Sequence, residues 1–330
     1  MNISRVTKDK LPALKVESAF ILAAFIMLLI LPVLLGPYWR SALTLFLINC
    51  VILLGYRIIT TMGGWSFAHI AIVGIGAYTT AILTTGSMQV NFWAAVPLSI
   101  VLSGFAALVL TFPVLRTKNY YFFLATFAAA EALRQGFIKF TWLTNGNSGI
   151  AFIPRPDGFG ISNFQNDLQF YFLILAVLVL VAIFVIRFDK SYTSRVIKAV
   201  ADNSDISESI GINTWKYKSI AFILGSAIAG LAGAFLSSYN GAINPSDYGS
   251  NAMFKIVAAA VVGGTASISG PIIGLIYLTF IEEAFRNSPD WVPMIWGGSV
   301  ILVLLKTKGG LEVVYKYLGN KISSAGDRNA

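Results

Sequence analysis

The chain has 330 residues, of which 56% are apolar and 12% charged, and its mean hydropathy is +0.74. A water-soluble domain carries about a quarter charged residues, and a chain of this size cannot hide so much apolar surface in one core; the solvent for most of it is lipid. One Cys and one His exclude a disulfide framework and a multi-ligand metal site made by this chain alone, and the net charge of +9 lies between apolar runs rather than in the basic stripe that nucleic acid requires.

In chain order, a tail of residues 1–18 carrying Arg5, Lys8, Lys10 and Lys15 precedes ten runs close to the roughly 20 apolar residues that a crossing needs. The runs are 19–35, 41–59, 65–86, 92–112, 120–139, 169–187, 216–238, 252–268, 271–285 and 292–306; the third, eighth and ninth are short or rich in Gly and Ser. The basic tail raises a cleaved signal peptide, but Leu34-Leu35-Gly36-Pro37 offers no small-x-small cleavage site, so the first run reads as a retained helix. With the N-terminus inside, the cytoplasmic side receives the four basic residues of the tail, Arg57, Arg116, Lys118, Arg187, Lys190, Arg195, Lys198, Lys216, Lys218, Lys306, Lys308, Lys316, Lys321 and Arg328. The outside receives only Arg40, Lys139, Arg155 and Arg286, while Arg134 and Lys255 fall within helices. That asymmetry is what the positive-inside rule expects. The expected fold class is an all-α integral membrane protein of about ten transmembrane helices, N-in and C-in, with a pseudo-repeat. It divides into the cytoplasmic tail 1–18, the membrane domain 19–306 and the basic cytoplasmic tail 307–330. Trp39, Trp93, Trp142 and Trp291 fall near run ends, as interface anchors do.

Two loops are long. Residues 140–168 carry Gly, Asn, Pro and Asp with few aliphatics and are expected to form an irregular external loop. Residues 188–215 repeat Val196/Val200 and Ile197/Ala201 at helical spacing with charges between. Asp202-Asn203-Ser204 interrupts that pattern, Asp205 with Glu208 resembles a capping box, and Gly211 is placed to end the short helix. A mere connector needs no such structure, whereas an amphipathic cytoplasmic helix docking on a partner does.

No enzyme signature is present: the chain has no G-x-x-x-x-G-K-[ST], no H-E-x-x-H and no G-x-S-x-G. An intramembrane hydrolase would rest on His69 alone. Cys50 sits in an apolar run and reads as a small buried hydrophobe. Two polar, glycine-rich stretches stand out instead. Gly63-Gly64-Trp65-Ser66-Phe67-Ala68-His69 continues to Gly74-Ile75-Gly76-Ala77-Tyr78, and Gly263-Gly264-Thr265-Ala266-Ser267-Ile268-Ser269-Gly270-Pro271 continues to Gly274. Broken or re-entrant segments near 63–69 and 263–271 would line a transport path, because non-helical backbone at membrane depth is tolerated only inside protein or along a cavity. For Gly74, Gly76 and Gly274, close helix packing is an equal reading. Glu131 and Arg134 share one helical face and are expected to pair, either as a polar lining or gate or as a structural ion pair near the outer interface. His69 reads as a substrate contact or pH sensor, or as a hydrogen-bonded structural residue.

The glycine-rich Gly64-Trp65-Ser66-Phe67-Ala68-His69 with Gly74-Ile75-Gly76-Ala77-Tyr78 resembles the early hallmark of LivM-type permeases, the membrane subunits of branched-chain amino acid ABC importers. Phe127 to Arg134 is similar to that family's Glu-x-x-Arg helix, and Leu143-Thr144-Asn145-Gly146 to Gly149-Ile150 to its external Gly-rich loop. Arg195 to Lys218 resembles its cytoplasmic stretch, and Val262-Gly263-Gly264 to Gly270-Pro271 its late Gly-Gly turn. The match covers roughly 40–306, with Trp65, Ala266 and Asn145 departing from the usual small or glycine residues. The resemblance implies that Arg195, Asp205, Glu208 and Gly211 belong to a segment docking into a separate ATPase subunit. This chain then binds no cofactor, and ATP sits on the partner. A second homologous permease subunit completes the pore, an extracytoplasmic binding protein delivers substrate, and the location is a bacterial or archaeal cytoplasmic membrane. Candidates for the translocation path are Gly63, Gly64, Ser66, His69, Glu131, Arg134, Gly263, Gly264 and Ser267. Relatives importing urea, short amides or monosaccharides share this scaffold. A secondary carrier would need a free intramembrane carboxylate, for which Glu131, Glu282 or Glu283 qualify.

Overall fold

In hydrocarbon each backbone amide must find its partner within the protein, and long apolar runs therefore become helices. The computed structural model describes residues 28–86, 89–117, 120–158, 164–288, 291–306 and 310. The tail 1–18, most of the first run and nearly all of the tail 307–330 lie outside the described residues; 28–34 are helical. The helices that follow are α1 (Pro37–Thr60), α2 (His69–Thr85), α3 (Phe92–Val114), α4 (Tyr120–Lys139), α5 (Asp167–Asp189), α6 (Tyr192–Asp202) and α7 (Ser204–Ser209). Then come α8 (Thr214–Asn240), α9 (Ser250–Gly263), α10 (Ser269–Ala284) and α11 (Val292–Lys306).

The expected runs all hold helix, but not ten full-length spans. By length and composition α1, α3, α5 and α8 can cross a membrane, and α2 and 292–303 are shorter apolar helices. With 14 and 16 residues, α9 and α10 reach only about 21 and 24 Å at 1.5 Å per residue, short of a ~30 Å hydrocarbon core. The eighth run stops at Gly263 rather than 268 because Gly264 takes φ +90°, a conformation that ends the helix.

Central helix α8 packs on α1, α2 and α3. Its glycines let backbones meet: Gly225 faces Gly55 of α1, Gly230 faces Gly76 of α2, and Gly233 faces the Val73 carbonyl. Thr80 and Ser99 hydroxyls, 2.8 Å apart, join α2 to α3 within the same core. Packing thus accounts for Gly76, and likewise for Gly274, which abuts the Ala259 carbonyl. A methyl at Gly76 would overlap the Gly230 backbone, so Gly76→Ala is expected to destabilise the chain by about 1–3 kcal/mol. Gly136→Ala, whose methyl meets only ordinary contacts at 3.8 Å, is the matched control; unfolding midpoints in detergent read both.

The loop after α4 is more ordered than its composition implies. A one-turn helix, Thr141–Thr144, and a 3-10 turn, Gly146–Ser148, lead into β1 (Ile150–Ala151), which pairs antiparallel with β2 (Ala242–Ile243) after α8. Asn145, where the related pattern has glycine, sits at φ +60° and donates its side-chain amide to the Gly149 carbonyl; Asn tolerates this left-handed conformation. Thr144 is buried and its hydroxyl donates to the Phe137 carbonyl at 2.6 Å.

Candidate functional site

The first glycine-rich stretch is a non-helical segment that climbs back into the bundle. From the end of α1, residues 61–68 run non-helically to His69, whose Nε2 lies 3.0 Å from the Ile52 carbonyl. Ile52 is eight residues before Thr60, about 12 Å back up α1. Ser66, Phe67 and Ala68 are buried, and two of their amides have side-chain partners: Phe67 N–H donates to the Thr126 hydroxyl at 3.0 Å, and Ala68 N–H to the Ser66 hydroxyl at 3.3 Å. His69 is wholly buried beside Tyr56 and ties α2 to α1. Gly64 lies against the Phe122 ring.

At the mouth of this segment lies a junction. Gly63, at φ +83°, abuts Ala201 of α6. Arg57, on the last turn of α1 and only 2% exposed, pairs with Asp189 at the end of α5 at 2.7 Å. Its Nε donates to the Ser267 carbonyl at 2.9 Å, in the second glycine-rich turn. Asp189 is also 3.7 Å from Lys198 of α6. The second turn, 264–268, caps α10 through the Ser267 hydroxyl, which accepts from Gly270 N–H, while Gly263 packs on the Gly270 backbone. Arg57 thereby connects α5, α6 and the second turn. In the sequence it stands out only as a topological charge; the signal of its junction role is a cation inside the last turn of an apolar run.

The α6–α7 segment has two faces. Val196, Ile197 and Val200 of α6 are buried, whereas Ile206 and Ile210 are 62% and 71% exposed. The capping box expected from Asp205 and Glu208 does not form. Asn203 caps α7, accepting from Ile206 N–H at 3.0 Å, and Glu208 instead accepts from the Thr214 hydroxyl at 2.6 Å. A side chain two positions earlier, already extended at φ −155°, wins the cap. Gly211 ends α7 at φ +84°, with its N–H on the Glu208 carbonyl and Ile212 N–H on the Ser207 carbonyl, a Schellman arrangement. Arg195 is exposed and donates to the Lys190 carbonyl.

Glu131 and Arg134 line a narrow cleft between α4, Phe67 of the climbing segment and the start of α9. Arg134 Nε donates to Glu131 at 2.9 Å, and the Gln135 amide donates to the same carboxylate at 2.9 Å. The cleft holds about 10 Å³, room for about one water. Phe127, Tyr248 and Met253 complete its walls. Of the path candidates expected from sequence, only Glu131 and Arg134 line the cleft; Gly63, Gly263, Gly264 and Ser267 fall at the junction and second turn, Gly64 lies against Phe122, and Ser66 and His69 are buried within the bundle. A wider groove of about 1000 Å³ separates α9, α10 and α11 and holds the Lys255–Glu282 pair at 2.6 Å. Among the described residues no group of His, Cys, Asp and Glu is placed to hold a metal ion.

Apolar side chains cover the outer faces of α3 and α5, including Val101, Phe105, Leu180 and Phe184. Long apolar helices with exposed apolar outer faces, around a narrow cleft that holds one ion pair among apolar walls, define a multi-pass membrane protein of the permease type. The chain belongs to the family described as "Branched-chain amino acid transport system / permease component", whose profile matches residues 38–305. It is 25% identical over 318 residues to the high-affinity branched-chain amino acid transport system permease protein LivM of Salmonella typhimurium, covering 89% of this chain and 75% of that protein. Identity to LivH of the same type of system in Escherichia coli is 26% over 293 residues, 82% of this chain and 93% of LivH. A shorter match, 30% over 151 residues, covers 43% of this chain and 40% of the xylose transport system permease protein XylH of Haemophilus influenzae. No solved structure matches the chain.

Proposed function

We propose that this chain is the membrane-spanning permease subunit of an ATP-binding-cassette importer in a bacterial or archaeal cytoplasmic membrane, translocating branched-chain or other hydrophobic amino acids. The observation that carries the reading is the α6–α7 segment: it buries one apolar face against the bundle and presents Ile206 and Ile210 outward, flanked by Asp205 and Glu208. In the N-in, C-in orientation this face lies in the cytoplasm, where an ATPase subunit would seat on it. ATP is bound and hydrolysed there, and its closure rocks this subunit between outward and inward access. Arg57 carries the movement from α5 and α6 to the second glycine turn.

Further features fit the assembly. The Glu131 side chain is 44% exposed midway along α4, a position too costly against lipid, so a second homologous permease covers it and the path runs between the two subunits. The paired loops 140–158 and 241–249 form the outer surface on which a binding protein would deliver substrate. The XylH match supports a second reading of the substrate as a monosaccharide. The carrier reading is disfavoured because its three carboxylates are engaged: Glu131 by Arg134, Glu282 by Lys255, and Glu283 by the Tyr38 hydroxyl at 2.7 Å.

Copurification from native membranes under mild detergent, paired with uptake by a strain lacking the gene, tests the proposal. An ATPase and a second permease are expected to accompany the tagged chain, and leucine, isoleucine and valine uptake to fall in the deletion. A tagged chain that brings no ATPase overturns the importer reading. Lost xylose uptake with intact amino acid uptake moves the substrate to the second reading.

A further inference from the structure

We propose that the Glu131–Arg134 pair is an exchange site for the zwitterionic backbone of an α-amino acid, its carboxylate passing to Arg134 and its ammonium to Glu131. This rests on the importer reading above. Both partners and Gln135 lie on α4 alone, so their hydrogen bonds staple no two helices together. The pair nevertheless faces the cleft, with Glu131 44% and Arg134 23% exposed, and the cleft has room for little beyond the pair itself. An α-amino acid carries the same two charges in complementary order. Swapping one internal pair for two substrate pairs leaves no charge unpaired at any step, and an unpaired charge is what a low-dielectric path penalises most. Phe67, Ile70, Phe127 and Met253 flank the pair and suit an aliphatic side chain. A neutral sugar brings no charges to exchange, and the pair would stay shut against it.

Ala130 lines the cleft next to the pair, and the sole native thiol, Cys50, is 1% exposed, so Ala130→Cys provides one reactive site. The experiment measures maleimide labelling of this variant, purified with its partners, against leucine, leucinol (a monocation), 4-methyl-2-oxopentanoate (a monoanion) and D-xylose. Leucine is expected to protect at about tenfold lower concentration than either analogue, the factor one charge-assisted hydrogen bond supplies. Adding Glu131→Gln should erase the preference for leucine over the oxo acid alone, and Arg134→Gln the preference over leucinol alone. A merely structural pair would move neither ratio. Preferences unchanged in both variants, or no protection by leucine while cells still import it, overturn the exchange site and leave the importer reading standing. Cells that import no amino acid overturn the parent reading instead. If a neutral variant unfolds and exposes Cys50, the charge-keeping Glu131→Asp and Arg134→Lys replace it; each must keep the preference for leucine, and its loss overturns the proposal.

Discussion

Asp189→Asn is expected to destabilise the chain by about 3–5 kcal/mol, the range for removing one partner of a buried ion pair, and Arg57→Gln by less. The order follows from burial. Arg57 is 2% exposed and Asp189 17%, so without its carboxylate the guanidinium stays charged with only the Ser267 and Ala266 carbonyls near it. Without Arg57, Asp189 still has Lys198 at 3.7 Å and some solvent. The double variant, with neither charge, should recover part of the loss, giving a coupling energy of the same sign as the pair's attraction. Thermal unfolding in detergent measures all three. A second readout separates linkage from stability: hydrogen exchange should accelerate at 264–268 and in α6 together. Faster exchange confined to α1 would mean that Arg57 braces its own helix and transmits nothing.

Ile206→Asp with Ile210→Asp should abolish transport while leaving the unfolding midpoint unchanged. Both side chains are exposed, and a surface substitution of this kind shifts stability by about 0.5 kcal/mol or less. Buried in a partner, the two isoleucines contribute about 3–6 kcal/mol, so their loss weakens docking at least about a hundredfold. Copurified ATPase should fall accordingly. Retained ATPase would place the docking surface elsewhere and remove the main support for the role given to α7.

Most of the helical layout was legible from apolar runs, since hydrocarbon forces helix wherever they occur. The two breaks were legible as well, because Gly-Gly followed by hydroxyl residues supplies both positive φ and local acceptors. Three things were not. A helix start moved where an acceptor two residues away proved better placed, as at Asn203. The placement of 150–153 depends on pairing with 241–243, a contact nearly a hundred residues distant that no local pattern announces. Arg57 was invisible as a junction because its partners, Asp189 and the 266–267 carbonyls, come from two later parts of the chain, and a count of charges per side cannot say which of them turn inward. The cleft was half legible: Glu131 and Arg134 announce themselves as charges in a helix, whereas Phe67 and Met253 look like any other apolar residue.

The climbing segment has a bearing on how the protein is made. Phe67 N–H finds its acceptor on Thr126, 59 residues later, and the glycine faces of α1 and α2 find theirs on α8, later still. A nascent chain that has delivered only the helices up to α2 to the bilayer therefore holds an unsatisfied amide and two bare grooves. It cannot settle until α4 and then α8 have been inserted. The interior of this subunit is completed from its C-terminal side, and α1 and α2 must wait in lipid, shielded or loosely placed, for the helix that locks them.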